Sequence, residues 1–200
     1  MQKIMFDDNF HLTRAVQEGW KNMTRRFAEK VLVEDDNGEL RWNGEFKKPR
    51  YKVGEVVAVA QSYREIEKEI MREGLPLTIK DSLLKSPGYR NKMYVRADLM
   101  PHQIRITSVR VERIQDISDE DCLREGIQAV RVPEGWVYVA GGATIHEVDR
   151  NRIWSGEIKL SEKCAFDTPT EAFTALIKKM AGKKAWDDNP NVYVYEFELV

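Results

Sequence analysis

The sequence predicts an α+β domain in which several short, curved strands form a small β-barrel with short helices at their ends. Two stretches, HQIRITSVRVERI (102–114) and NPNVYVYEFELV (189–200), alternate apolar and polar residues, the pattern of strands with one buried face. In the first, the apolar phase carried by Ile104 and Ile106 shifts to Val109 and Val111, a slip that predicts a β-bulge or bend, as a strongly curved sheet needs. The helical patterns are short and lie between strands, which suits a small barrel better than an open doubly wound sheet.

Taken in order, DDNFHLTRAVQEG (7–19) predicts a short helix, with Asp7, Asp8 or Asn9 as its cap, Leu12, Ala15 and Val16 on one face, and Gly19 in the left-handed position that ends it. VLVEDDNGELRW (31–42) reads as a hairpin around Asp-Asp-Asn-Gly. GEVVAVAQSY carries a buried strand from Val56 to Gln61. Residues 64–101 begin with a charged, helix-compatible piece and continue with Pro, Gly and basic residues without a sustained period, so they are read as an insertion or long loop.

DISDEDCLREGI (116–127) predicts a helix of about two turns. Ser118 is its N-cap, acids fill its first turn, Ile117 and Cys122 are spaced as a hydrophobic staple, and Gly126 stops it. VRVPEGWVYVAGG (130–142) reads as a hairpin around Pro133, Glu134 and Gly135, and 128–167 forms a second candidate insertion. TPTEAFTALIKKMAG (168–182) is the strongest helical pattern: Thr168 caps it, Pro169 and Glu171 occupy its first turn, and Ala172, Phe173, Leu176, Ile177 and Met180 form an apolar stripe. The chain then closes on a strand with Tyr193, Tyr195, Phe197 and Leu199 on one face. One domain over 1–200 is expected.

With 42% hydrophobic and 32% charged residues, the composition is that of an ordinary globular protein. No apolar run is long enough for a bilayer span and the first residues lack a signal-peptide pattern, so a cytoplasmic protein without membrane contact is expected. Cys122 and Cys164 are too few for a disulfide framework and are read as buried or inert thiols; neither a metal site nor a cofactor is expected. A net charge of -1 argues against a protein that coats nucleic acid through bulk charge. Residues 80–113 nevertheless carry eight bases against three acids, which is either a basic surface or a solvated loop.

The phosphate-loop, dinucleotide, zinc-hydrolase and serine-hydrolase motifs are missing, and His11, His102 and His146 lack ligand spacing. What remains is EGWKNMTRR (18–26), a helix-to-strand junction rich in donors. A neutral Lys21 could activate the Thr24 hydroxyl as a nucleophile, because burial and neighbouring cations lower a lysine's pKa. The forked donors of Arg25 and Arg26 could instead bind a phosphate or a base edge, or the segment could be a solvated basic strand end. Trp20, inside the motif, could stack on a base.

Gly19, Lys21, Thr24 and Arg26 of this motif, then Gly54 in YKVGEVVAVAQS, RITSVRVERIQDISDEDCLREGI and the closing NPNVYVYEFELV, resemble the ASCH family of the PUA-like superfamily, in particular ASCH-type proteins of phages and prophages. The resemblance spans the chain apart from the two candidate insertions. It implies a PUA-like β-barrel whose cleft recognises a nucleotide, a modified nucleoside or RNA. It also implies an alternative, an amidohydrolase that removes an acyl group from an acylated cytidine-type nucleoside. There Thr24 would attack the carbonyl, Lys21 would accept its proton, Glu125 would serve the leaving amine, and Arg26 would hold the substrate. Gln61 stands where many ASCH proteins carry an acid, and it could still read a base edge. A third alternative is a phage or host interaction scaffold. The sequence leaves the oligomeric state open.

Overall fold

The computed structural model describes residues 1–74, 81–139 and 165–200. It is a mixed α+β fold with separate sheets. The main sheet has five strands, β1 (Gln2–Ile4), β2 (Met23–Phe27), β5 (Val56–Val59), β6 (Gln103–Arg113) and β10 (Asn191–Leu199), in the order β1-β5-β6-β10-β2. Only β1 and β5 run parallel; the other pairs are antiparallel. Strands β3 (Lys30–Glu34) and β4 (Leu40–Phe46) form a hairpin of their own, and β7 (Gln128–Val132), β8 (Gly135–Val139) and β9 (Ala165–Phe166) a third sheet. The barrel expected from the sequence is not closed by backbone pairing among the described residues: β1 and β2 are the two ends of the order.

The bulge expected in the long strand is there. Glu196 pairs with Ser108 and Phe197 with Ile106, leaving Thr107 as the extra residue of β6. Its effect explains the phase slip. Ile104 and Ile106 before it, and Val109 after it, all pack into one interior cluster with Tyr195 and Phe197. Were Thr107 an ordinary residue of the ladder, period-two alternation would send Val109 to the opposite face.

That interior cluster also takes Ile4, Phe6, Val57 and Val59, and is covered by α1 (Leu12–Gln17) through Leu12 and Val16. Both faces of the sheet are buried, however. Val192 and Val194 alternate to the other side of β10 and join Met23, the helices α4 (Asp119–Arg124) and α5 (Pro169–Ala181), and Trp186 of α6 (Lys184–Asp187). At the β5 end, Ala58 and Ala60 pack against α2 (Tyr63–Arg72), Val95 and Met100. Residues 64–101, read from the sequence as an insertion or long loop opening on a helix-compatible piece, hold most of α2 on that piece, then the short α3 (Asp81–Leu84) and three single-turn 3-10 segments over 87–99. The signal was weak because many turn residues there interrupt any period. Residues 75–80 and most of the second candidate insertion, with Cys164, His146 and Trp154, lie outside the described residues.

The helix punctuation follows local chemistry. Ser118 Oγ accepts from Asp121 N at 3.1 Å, Thr168 Oγ1 accepts from Glu171 N at 3.2 Å, and Ile117 and Cys122 share a cluster. The first helix differs from expectation: Asp7 caps a 3-10 turn over Asp8–Phe10, and α1 starts only after His11, which takes the left-handed conformation. Met180, expected in the α5 stripe, is 41% exposed in the last turn of the helix, whose buried residues end at Leu176.

Candidate functional site

The donor-rich motif is built by two glycine-centred reversals. Gly19 (φ +79°) ends α1, and the amides of Trp20 and Lys21 both donate to Ala15 O, at 3.1 and 2.9 Å. The chain thus turns before entering β2 at Met23. Across from it, Gly126 (φ +104°) ends α4 and lets Glu125 face back toward Lys21. A Cβ at 126 would stand 3.2 Å from Leu12 Cδ2 and 3.5 Å from Lys21 Cδ.

Lys21 and Glu125, expected together, do meet. Lys21 Nζ donates to Glu125 Oε2 (2.7 Å), Glu125 O (2.6 Å) and Met23 O (2.7 Å), and its side chain is 1% exposed. Burial lowers the Lys21 pKa from its ordinary value, while the Glu125 carboxylate pulls it back up. Three acceptors match the three donors of an ammonium, so the geometry holds the group charged and gives it no lone pair to offer. Thr24, paired with Tyr195 across the β2–β10 ladder, lies on the interior face, and its hydroxyl makes no hydrogen bond among the described residues.

Arg25 points to the other face of β2. It donates to Glu112 (Nε, 3.0 Å), Asp121 (3.0 Å) and Glu125 (3.1 Å), with 1% of its side chain exposed. Arg110 bonds Glu112, Asp121 and Glu196, and Arg124 bonds Glu196 at 2.8 Å. With Lys21 this makes four cations interleaved with four carboxylates, tying β2, β6, β10 and α4 together. In this network Arg25 has its donors directed to protein carboxylates rather than to a ligand.

Arg26 behaves differently. Its cross-strand partner is Tyr193, its guanidinium lies 5.8 Å from the centre of the Phe6 ring, and it donates to Met5 O at 2.5 Å. Arg26 therefore bridges the gap between the two edge strands, and there a cleft of about 340 Å³ opens. Lys3 and Met5 line it from the β1 side, Arg26 and Phe27 from the β2 side. Lys47, Lys48, Arg50, Tyr51 and Glu29 come from the segments flanking the β3–β4 hairpin, and Tyr193 and Tyr195 from β10.

The cleft has five cations against one carboxylate. Glu29 is matched by Lys47 at 2.7 Å, whereas Arg26, Lys48 and Arg50 have no carboxylate partner among the described residues. All three tyrosine hydroxyls are tied to backbone: Tyr51 donates to Lys3 O (3.0 Å), Tyr193 to Lys47 O (2.6 Å), and Tyr195 accepts from Arg50 N (3.0 Å). Burial raises the Tyr51 and Tyr195 phenols above their ordinary value. The rings are thus fixed in place, as a preorganised wall requires.

Of the site residues expected from the sequence, only Arg26 lines this cleft. Trp20 is partly buried and donates from Nε1 to Glu18 at 2.9 Å. Gln61 is buried near α2, where Nε2 donates to Glu69 Oε2 (3.0 Å) and Oε1 is unpartnered; His102 meets the other Glu69 oxygen at 2.8 Å. Of the seven described cations of the basic stretch 80–113, three are answered by carboxylates: Lys92 by Asp8, Arg96 by Asp98, Arg110 by its three carboxylates. Burial pushes the Cys122 thiol up to about 12, so it is not a nucleophile at neutral pH. The residues that sequence reasoning missed are the cleft wall from KKPRY (47–51) and the tyrosines of β10. A basic run ending in an aromatic was the available signal.

Among the described residues no cluster of His, Cys, Asp and Glu could hold a metal ion, and no helix is long and apolar enough to cross a membrane. Comparison with family models, with curated proteins and with solved structures finds no match.

Proposed function

We propose that this protein binds a phosphate-bearing nucleotide, free or as a unit of an RNA strand, in the cleft between β1 and β2. The observation that carries the reading is the pairing of three uncompensated cations, Arg26, Lys48 and Arg50, with tyrosine rings fixed by their own hydroxyls. Guanidinium and ammonium groups recognise phosphate oxygens, and an aromatic wall accepts any base by stacking. The volume, about 340 Å³, is within the range of small-ligand sites. The reading agrees with the ASCH resemblance, in which an open sheet of this order would be a PUA-like barrel incompletely closed at the cleft.

The test is a titration of the purified protein with nucleoside monophosphates, the matching nucleosides, and a short single-stranded RNA, each at low and high salt. Monophosphates and RNA bind more tightly than nucleosides, affinity falls with salt, and Arg50→Ala weakens both. Equal binding of nucleosides and monophosphates, or no binding of any, overturns the reading.

A second reading, amide hydrolysis on an acylated cytidine-type nucleoside, draws on the direct Lys21–Glu125 contact at 2.7 Å. It requires Lys21 to pass one proton to the Glu125 carboxylate and reach the Thr24 hydroxyl as a neutral amine that accepts the hydroxyl proton. Thr24 Oγ would then bond to the acyl carbon, the C–N bond would break with Glu125 delivering the proton to the amine, and water would free the acid. Turnover of an acylated cytidine that disappears in Lys21→Ala supports this reading; absence of turnover removes it.

A further inference from the structure

The β3–β4 hairpin stands apart from both other sheets. Two strands alone are marginal in water, yet this hairpin leaves Leu32, Leu40 and Trp42 exposed by 52%, 66% and 45%. Leu32 lies opposite Trp42 and Glu34 opposite Leu40, so the three apolar side chains share one face. Residues 30–46 carry five acids against two bases, a net charge of -3. The hairpin springs from the rim of the cleft: Glu29 precedes it, Lys47 and Lys48 follow it, and all three line that cleft, whose own balance is +4.

We infer that the hairpin docks on the cleft of a second copy of this chain. An acidic arm with an apolar face fits a basic cavity walled by Phe27, Tyr51 and Tyr193, and the chain itself presents such a cavity. Because arm and cleft adjoin, a two-fold axis that brings one hairpin onto the partner's cleft also brings the partner's hairpin back, so the contact closes as a dimer. The inference rests on the reading of the cleft as an anion site, and it makes dimerisation and nucleotide binding compete.

Sedimentation velocity of the full chain tests it. The protein dimerises at about 50 mM salt, and the dissociation constant rises at least about tenfold by about 500 mM, where exposed charges are screened. Leu40→Ser with Trp42→Ser, at exposed positions outside the cleft, abolishes the dimer and, by freeing the cleft, makes nucleotide binding at least as tight as in wild type. Glu34→Lys with Asp36→Lys, and separately Lys48→Glu with Arg50→Glu, each give monomers. An equimolar mixture of these two, which keeps one acidic hairpin facing one unaltered cleft, associates more tightly than either alone. A monomer at every salt concentration, or a dimer indifferent to the hairpin substitutions, overturns the inference. A monomer that binds nucleotides sinks the inference alone; a wild-type dimer whose monomeric hairpin variant binds none sinks the nucleotide reading alone.

Discussion

Replacing Glu125 by Gln removes one negative charge from between two buried cations while keeping the side chain's volume. Glu125 lies 2.7 Å from Lys21 Nζ and 3.1 Å from an Arg25 nitrogen, and the three side chains are only 6%, 1% and 1% exposed. At an effective dielectric of about 20, unit charges about 3 Å apart attract by about 5 kcal/mol. Breaking such a buried pair costs about 3–5 kcal/mol. The lower end applies here, because Lys21 keeps two carbonyl acceptors and Arg25 keeps Glu112 and Asp121. Glu125→Gln is therefore expected to cost about 3 kcal/mol, and at about 2–4 °C per kcal/mol for a chain of this size it lowers Tm by about 6–12 °C. Urea titration and thermal unfolding at neutral pH measure both quantities. Adding Lys21→Met to the variant should recover part of the loss by removing a cation with no carboxylate left to it. A Glu125→Gln protein within about 0.5 kcal/mol of wild type, the size of an ordinary surface change, would refute the account of Lys21 as a buried ammonium held by this carboxylate.

Arg50→Ala should weaken binding of a nucleoside monophosphate by about tenfold, in line with loss of one charge-assisted hydrogen bond of about 1.5–3 kcal/mol, and flatten the salt dependence. Thr24→Val, which removes a hydroxyl with no partner among the described residues, should leave that affinity unchanged; a loss would bring the hydroxyl into the ligand site. Gly126→Ala combines a left-handed φ with a Cβ at 3.2 Å from Leu12, so it should cost more than about 1 kcal/mol by urea titration. Hydrogen bonds from Arg124 and Arg110 hold the Glu196 carboxyl below its ordinary 4.5. Between its folded pKa and 4.5 the unfolded chain binds the extra proton. The stability it contributes is thus complete above 4.5 and lost as pH falls through the folded value. Denaturation midpoints should drop over that window in wild type and less steeply in Glu196→Gln.

The elements were legible where punctuation and period agreed. Ser118, Gly126, Thr168 and Pro169 each act locally, within about one turn, and each stands where the sequence put it. Even the bulge was readable, since a phase slip in an alternating strand has few other causes. The candidate site was less so. Lys21 and Glu125 are 104 positions apart and were paired only through the family resemblance; Arg25 and Arg26 look alike in sequence, and strand parity alone sends one into carboxylates and the other to the cleft. Lys3, Arg50 and Tyr193 meet only because β1 and β2 end up as facing edges of one sheet, a long-range outcome that no window of residues encodes.

Thr107 is a residue whose loss the ladder can absorb. Its side chain is exposed, so substitutions there should pass almost unnoticed. Deleting it would leave Ile106 opposite Phe197, Ser108 opposite Glu196 and Val109 opposite Tyr195, an unbroken alternation with Val109 still inward. The strand would lose only the bend and added twist that a bulge supplies. A deep mutational library that includes single-codon deletions should thus find this deletion tolerated and deletion of Val194 in the regular partner strand not, because what Thr107 supplies is curvature.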